Sequence, residues 1–369
     1  MTDIAGDAIV NAYTAAEKWR QGGAKAGMNI YDIATAAGVS SATVSRVVNG
    51  NKSVKEETRK KILKIIEENN YVPNSFARSL RSGEPDNIAF VVPDIENPFF
   101  GKLLHGLSDT ANKYGYNVFM YGTNEDISLE HRILAGIKKE MVRGVVITPV
   151  SDEDSDTADR LNKMEDNQIP VVLLDRDITS CAFDGVFSSD YENSYEAVNC
   201  LINAGHRKIG AVIGRLDSRP GRERFRGYKK ALKDAGIELR DDYITNGNFK
   251  VKEAYEGMER LMNLEDKPTA VFSMNNMSTL GCLTYMKEHG MKLGRDISMI
   301  GFDEIEELKC TDISLTVVDR PIYEMGSAAL ELLEFKFNSD QNSEKSRIMR
   351  RINMLKGELI IRGSERIKK

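Results

Sequence analysis

The chain has little with which to cross-link itself and little with which to catalyse. Its four cysteines, Cys181, Cys200, Cys282 and Cys310, lie far apart with no C-x-x-C pair among them. They read as reduced, half-buried small hydrophobes, which excludes a clustered zinc or redox motif. The four histidines, His105, His131, His206 and His289, are scattered. There is no H-E-x-x-H, no G-x-S-x-G and no phosphate loop. No enzyme centre is recognisable, although a cleft holding Asp and Arg keeps acid–base work open. No apolar run approaches the roughly 18 residues of a membrane span. The first residues lack a basic start followed by an apolar stretch, so no export signal is expected. A cytoplasmic location follows, with no membrane partner, no metal and no cofactor.

What is present is ordinary in bulk and uneven in detail. The 369 residues suffice for two or three domains with an ample core. Hydrophobic and charged fractions of 41% and 29% are those of a soluble protein. The net charge of −5, however, conceals an asymmetry. Residues 28–83 hold nine Lys/Arg against five Asp/Glu, whereas residues 84–369 hold 39 against 48. A small basic unit on a large acidic body suggests an anion-binding head, unless it is a chance fluctuation.

Residues 1–27 read as a short amphipathic helix followed by the flexible run "QGGAKAG". Met28 begins a self-sufficient pattern, so the stretch before it is an extension or an appended arm with no assigned role. Helical periodicity predicts three segments, 30–37, 41–48 and about 56–69. Gly38 ends the first, Ser40 caps the second, and Ile62, Leu63, Ile65 and Ile66 line one side of the third. In "YVPNSFARSLRSGEP", Pro73 stops that helix and Asn74 caps a new one of about two turns. From residue 87 the rhythm becomes strand, loop, helix, repeated. "NIAFVVP", "NVFMYG", "GVVITP", "PVVLLD", "KIGAVIG", "TAVFSM" and "ISMIGF" are the strand candidates, alternating with helices such as 100–114 and 220–235. Near-continuous apolar strands between helices mean parallel sheets covered on both faces. The expected class is therefore α/β, two doubly wound lobes behind a helical head, with a barrel as the rival.

The stretch "GVSSATVSRVVNG" carries the first functional signal. Two short helices joined at Gly38-Val39 fit a helix-turn-helix, whose second helix enters the major groove. That groove is about 12 Å wide, so the residues that start the helix must be short. Ser41, Ala42 and Thr43 are short, and Arg46 can reach the O6 and N7 of a guanine from one turn onward. Val44, Val47 and Val48 would face the small core. A three-helix protein-binding module is the alternative. The segment "PNSFARSLRSG" is too short to hold as a helix in water. In a minor groove Arg78 and Arg81 would meet phosphates and Leu80 would wedge between base steps; otherwise it is a solvated linker.

These stretches, with "VVPDIENPFF", "AGHRKIGAVIG", "RERFRGYKKAL" and "IGFDEI", resemble the lactose/galactose repressor (LacI/GalR) family of bacterial transcription regulators, in the family's order from about Met28 to Gly363. The head is especially similar to catabolite-control members. The resemblance implies a homodimer on a near-palindromic double-stranded operator, with a small effector between two lobes resembling periplasmic binding proteins altering DNA affinity. It implies that Ser41, Ala42 and Arg46 read bases and that Tyr31, Ser40, Thr43, Ser45, Asn49 and Thr58 hold phosphates. Asn74 would cap the hinge helix, and Leu80 would be the wedge with Ala77 beside it. Effector contacts would be Asp94, Phe99 and Phe100 from one lobe, and Arg224, Phe249, Asn275 and Asp303 from the other, with Arg176 and Asp190 as weaker candidates. As chemistry this set suits a sugar: a carboxylate accepts from hydroxyls, Arg and Asn direct polar bonds, and aromatic faces cover C–H groups. Each also has a plainer role, with Asp303 capping a turn, Arg224 pairing with Glu223 or another acid, and Phe100 filling core.

The implied division is an arm over 1–27, a head over 28–73, and a hinge helix and linker over 74–85. A first lobe would cover 86–188 plus about 319–350, and a second 189–318 plus about 351–363. Two departures stand out. The family's usual Asn-Asp of the second lobe is Asn275-Asn276, and no C-terminal leucine heptad is present, which argues against a tetramer. The rival functions are a sugar-binding transport receptor, which would need an export signal and no basic head, and an enzyme.

Overall fold

The head is built by three short helices whose ends are written into the sequence. In the computed structural model, which describes residues 28–48, 53–69, 85–137, 141–339 and 350–366, α1 spans Ile30–Ala37, α2 Ser41–Val48 and α3 Glu56–Glu68. Asn29 caps α1: its Oδ1 accepts from the Tyr31 and Asp32 amides at 2.8 and 3.2 Å, while Asp32 accepts from the Asn29 amide at 2.8 Å. This reciprocal box satisfies donors that a free helix start leaves orphaned. Gly38 closes α1 with a φ of 69°, a left-handed turn that a Cβ would disfavour. Ser40 starts α2, its Oγ accepting from the Thr43 amide at 3.3 Å. Ile33, Ala34, Ala37, Val44, Val47 and Ile62 form the buried core, with Val48, Ile65 and Ile66 packed against it. Leu63 departs from expectation. It is 46% exposed, because one residue on from Ile62 lies about 100° around the helix and off the buried stripe.

The chain separates into two compact units, Met1–Glu84 and Pro85–Lys369. The second unit contains two six-stranded sheets rather than a barrel. The first sheet uses β1 (Asn87–Val92), β2 (Asn117–Gly122), β3 (Gly144–Ile147), β4 (Val171–Leu174), β5 (Asp184–Ser188) and β11 (Ile352–Leu355), in the order 11-5-4-3-1-2. The second uses β6 (Ile209–Ile213), β7 (Ile244–Asn246), β8 (Ala270–Ser273), β9 (Ser298–Phe302), β10 (Thr316–Asp319) and β12 (Glu358–Ile360), in the order 12-10-9-8-6-7. The two orders are the same permutation, so one lobe repeats the plan of the other. Alternate residues of one strand serve opposite layers: Ile88, Phe90 and Val92 face one core, Ala89 and Val91 the other. Burial on both faces is why these strands read as unbroken apolar runs.

Helices cover both sheets. In the first lobe α4 (Pro98–Tyr114), α5 (Ile127–Ile137) and α6 (Ser155–Asp166) follow successive strands; in the second, α7 (Asp190–Asn203), α8 (Arg219–Asp234), α9 (Val251–Met262) and α10 (Asn276–Glu288) do so. The chain then returns through α11 (Ile322–Asn338), whose buried face joins the first core. Two details differ from the sequence reading. β11 pairs with β5 in the first sheet, so the last return to the second lobe comes at Glu358 and not near residue 351. Also, β12 runs antiparallel to β10, so the second sheet is not wholly parallel. Both strands are short, β11 largely exposed and β12 half-buried, which left no long apolar run to find.

Candidate functional site

In each sheet the strand order reverses beside β1 or β6, and the carboxyl ends of the strands at such a point are where open α/β sheets receive ligands. Asp94, Phe99, Phe100, Arg224, Phe249, Asn275 and Asp303 all line one cavity there, with Arg176 among its other walls. Phe99 and Phe100 serve twice, since both are buried in the first core and lie edge to face at 5.0 Å between ring centroids. Asn275 caps α10, accepting from the Ser278 amide at 2.8 Å. Phe249 stands at a φ of 62° against Gly214, where an added Cβ would fall 1.9 Å from its ring. Gly214→Ala should therefore swing Phe249 out of the cavity. An effector should bind at least tenfold more weakly in calorimetry, with a stability loss of only about 1–2 kcal/mol.

Charge dominates the cleft. Arg224, almost fully buried, donates from Nε to Asp190 at 3.0 Å and from Nη1 to the Met274 carbonyl, with its guanidinium 3.8 Å above the Phe302 ring. Glu223 pairs with Arg226 instead. Arg176 makes a two-pronged contact with Glu125 at 2.7 and 2.9 Å, and Arg215 reaches the same carboxylate at 3.1 Å. Arg320 is the centre of the arrangement. Its Nε and Nη2 grip Asp303 at 2.6 and 2.9 Å, and its Nη1 donates to Asp175 at 2.7 Å. Asp175 follows β4 and Asp303 follows β9, matching strand ends of the two lobes, and both adopt left-handed backbone, at φ 66° and 68°. Asp tolerates this conformation better than most residues. Burial opposes the charge of Arg320, but Asp303 and Asp175 outweigh it and hold its proton more tightly than usual. Burial likewise pushes Asp190 above the usual carboxylate range, against Arg224 and Arg320.

Polar contacts also tie lobe to lobe. Asn276 Nδ2 donates to Asn97 Oδ1 at 2.7 Å, Arg222 meets Asp152 at 2.8 Å, and the Asp152 amide donates to the Asp217 carbonyl at 2.9 Å. The family's usual Asp at 276 would set two acceptors against each other here, whereas Asn supplies a donor. Burial pushes Asp152 up to about 6, against the pull of Arg222. A carboxyl raised in the folded state binds more protons folded than unfolded between its unfolded and folded values. Its contribution to stability is present below about pH 4 and is lost as pH rises through about 6. Compared with Asp152→Asn, the parent should lose on the order of 3 kcal/mol at most between pH 4 and 7, read from urea unfolding at a series of pH values. Packed this way, the cavity keeps only about 30 Å³ of free space, room for a water or two. An effector must part the lobes or displace some of these contacts.

Sequence reasoning missed Arg320, Asp175, Glu125 and Asn97 as cavity residues. The signal for Asp175 was available: "PVVLLD" ends as "ISMIGFD" does, with a carboxylate just past a buried strand. In the head, Tyr31, Ser40, Ala42 and Arg46 are exposed, while Ser41, Thr43, Ser45 and Thr58 are half-buried. Ala42 and Arg46 are one helical turn apart, opposite the buried Val44 and Val47. Asn49, Asn74, Ala77 and Leu80, and the 1–27 arm, lie outside the described residues.

Comparison with known proteins bears on both units. Residues 29–74 match the model of bacterial regulatory proteins of the lacI family, and residues 85–355 match that of periplasmic binding proteins and the sugar-binding domain of the LacI family. The chain belongs to the LacI family. Catabolite control protein A of Priestia megaterium is 34% identical over 85% of this chain and 93% of its own length. The HTH-type transcriptional repressor PurR of Aliivibrio salmonicida is 34% identical over 82% of this chain and 90% of its own. The lac repressor dimer bound to operator and an anti-inducer shares the fold, with a TM-score of 0.79 and 22% identity across 92% of this chain and 99% of that one. As a LacI-family member, the protein is a DNA-binding transcriptional regulator with a ligand-binding body of the periplasmic-receptor type. Among the described residues no helix is long and apolar enough to cross a membrane.

Proposed function

We propose that the protein is a cytoplasmic, homodimeric repressor whose grip on a near-palindromic operator is switched by a sugar or sugar derivative bound between its lobes. The observation that carries this reading is the meeting, on one cavity, of seven residues chosen from the sequence and drawn from both lobes. A ligand held by all of them would report its presence as a change in how the lobes meet, the kind of two-state element on which an effector can act. A solved relative of the same fold, a transcriptional regulator named CelR, was captured with cellobiose (TM-score 0.68, 24% identity, 91% of this chain and 99% of that one).

In the head, Ser41, Ala42 and Arg46 read base edges, and Tyr31, Ser40, Thr43, Ser45, Asn49 and Thr58 fix the backbone of the duplex. Asn74, Ala77 and Leu80 belong to a hinge helix that inserts Leu80 into the minor groove. A transport receptor has no use for a basic helix-turn-helix unit, and the cleft's acids and arginines bind and orient a ligand without a chemical step. The test is operator selection from random duplexes followed by gel-shift titration. Binding should weaken steeply with added salt, as phosphate contacts require, and should respond to a sugar from a screened panel. Salt-independent binding, or none to any duplex, would sink the reading.

A further inference from the structure

Resting on the proposal that the cleft binds a sugar-like effector, we infer that this effector is uncharged, and that the cleft's internal ion pairs reject phosphorylated and acidic sugars. The argument begins with the arginines. A site for a phosphate ester or a carboxylate holds a cation in reserve, because a buried anion must be paired to be tolerated. Here each cleft arginine is already committed. Arg176 and Arg215 share Glu125, Arg215 also grips Asp217 on two prongs, and Arg320 is divided between Asp303 and Asp175. Arg224 is matched by Asp190. Asp94, on the cavity wall, has no Lys or Arg partner among the described residues; its Oδ1 accepts only from the Glu96 amide. Carboxylates therefore outnumber arginines, and an incoming anion meets net negative charge.

The unmet hydrogen bonds point the same way. Arg224 and Asp190 are 2% and 1% exposed, yet Arg224 Nη2 and Asp190 Oδ2 have no partner. One is a donor and the other an acceptor on the same ion pair. Arg224 lines the cavity and Asp190 does not, but a hydroxyl that reached the pair would answer both, accepting from the guanidinium and donating to the carboxylate. A phosphate oxygen only accepts, and would oppose Asp190. The walls contributed by Phe99, Phe100 and Phe249 are themselves uncharged, and the guanidinium groups of Arg320 and Arg176 already stand over Phe99 and Phe249.

The test uses the full chain and a panel of common pentoses, hexoses and disaccharides, each beside its phosphate ester and its uronic or aldonic acid. Thermal shift and release from the selected operator are both read. The expected result is that only uncharged members act, and that the affinity of the best one stays constant from low to high ionic strength. A phosphate or acid that outbinds its neutral parent overturns the charge assignment while leaving the sugar reading intact. Silence from every member overturns the sugar reading, and this inference with it. In Glu125→Gln, which frees Arg176 and Arg215 from their shared carboxylate, the phosphate esters should gain at least tenfold relative to their neutral parents. Unchanged selectivity in a variant that melts cooperatively would overturn the role of the ion pairs, and the ionic-strength series on the parent decides the matter if that variant fails to fold.

Discussion

Arg320→Met should destabilise the two-lobed body by about 3–5 kcal/mol, the loss typical of removing one partner from a buried ion pair. For a body of this size that corresponds to a melting point lower by roughly 10 °C. The reason is the number of carboxylates that depend on one guanidinium. Asp303 and Asp175 receive its hydrogen bonds, and Asp190 lies 4.0 Å away. Its plane also rests against Phe99, 4.5 Å from the ring centroid. Methionine keeps much of that packing and removes the charge, leaving buried acids to face one another. The head has its own core, so calorimetry should show the larger transition shifted while the helical signal of residues 30–68 melts as before. A loss under 1 kcal/mol would mean that water reaches these acids and that the cleft is not the dry network described.

Arg46→Ala should weaken operator binding by about 1–3 kcal/mol, roughly five- to 150-fold, and should flatten preference at one base pair in each half-site. Arg46 is exposed on α2, so stability should move by less than about 0.5 kcal/mol. Binding assays against operators substituted at each position separate the two modes of contact. A base reader loses discrimination at a single position; a phosphate contact weakens all sequences alike and lowers the salt slope. Uniform weakening would move Arg46 from the first class to the second.

Much of this architecture is legible because its signals are local. The first two head helices fall where Asn29, Ser40 and a left-handed glycine place them, and seven of the strands stand out as apolar runs, all buried except the half-exposed edge strand β2. The strands missed from the sequence fail for a physical reason. β5 reads "DGVFS", fully buried but polar at its ends; β10 reads "TVVD", central and buried but only four residues long; and β7, β11 and β12 are three- or four-residue pieces at sheet edges. An edge strand is recruited by its neighbour's hydrogen bonds more than by its own side chains. The cleft shows the same division. Residues within recognisable motifs were found, whereas Arg320 follows "TVVD" and becomes central only because β4 and β9 end beside each other in space. Asn276 looked like a lost charge; the partner that makes its amide useful, Asn97, lies 179 positions away.

β11 and β12 sit side by side in sequence yet complete different sheets, the first pairing with residues near 185 and the second with residues near 318. Neither lobe can be finished until residues 352–360 have been translated, whereas the three head helices are whole once residue 69 has been made. A nascent chain therefore carries a folded reader well before it owns a working control. Any message cut short ahead of residue 350 yields a head whose regulator lacks a border strand on both sides.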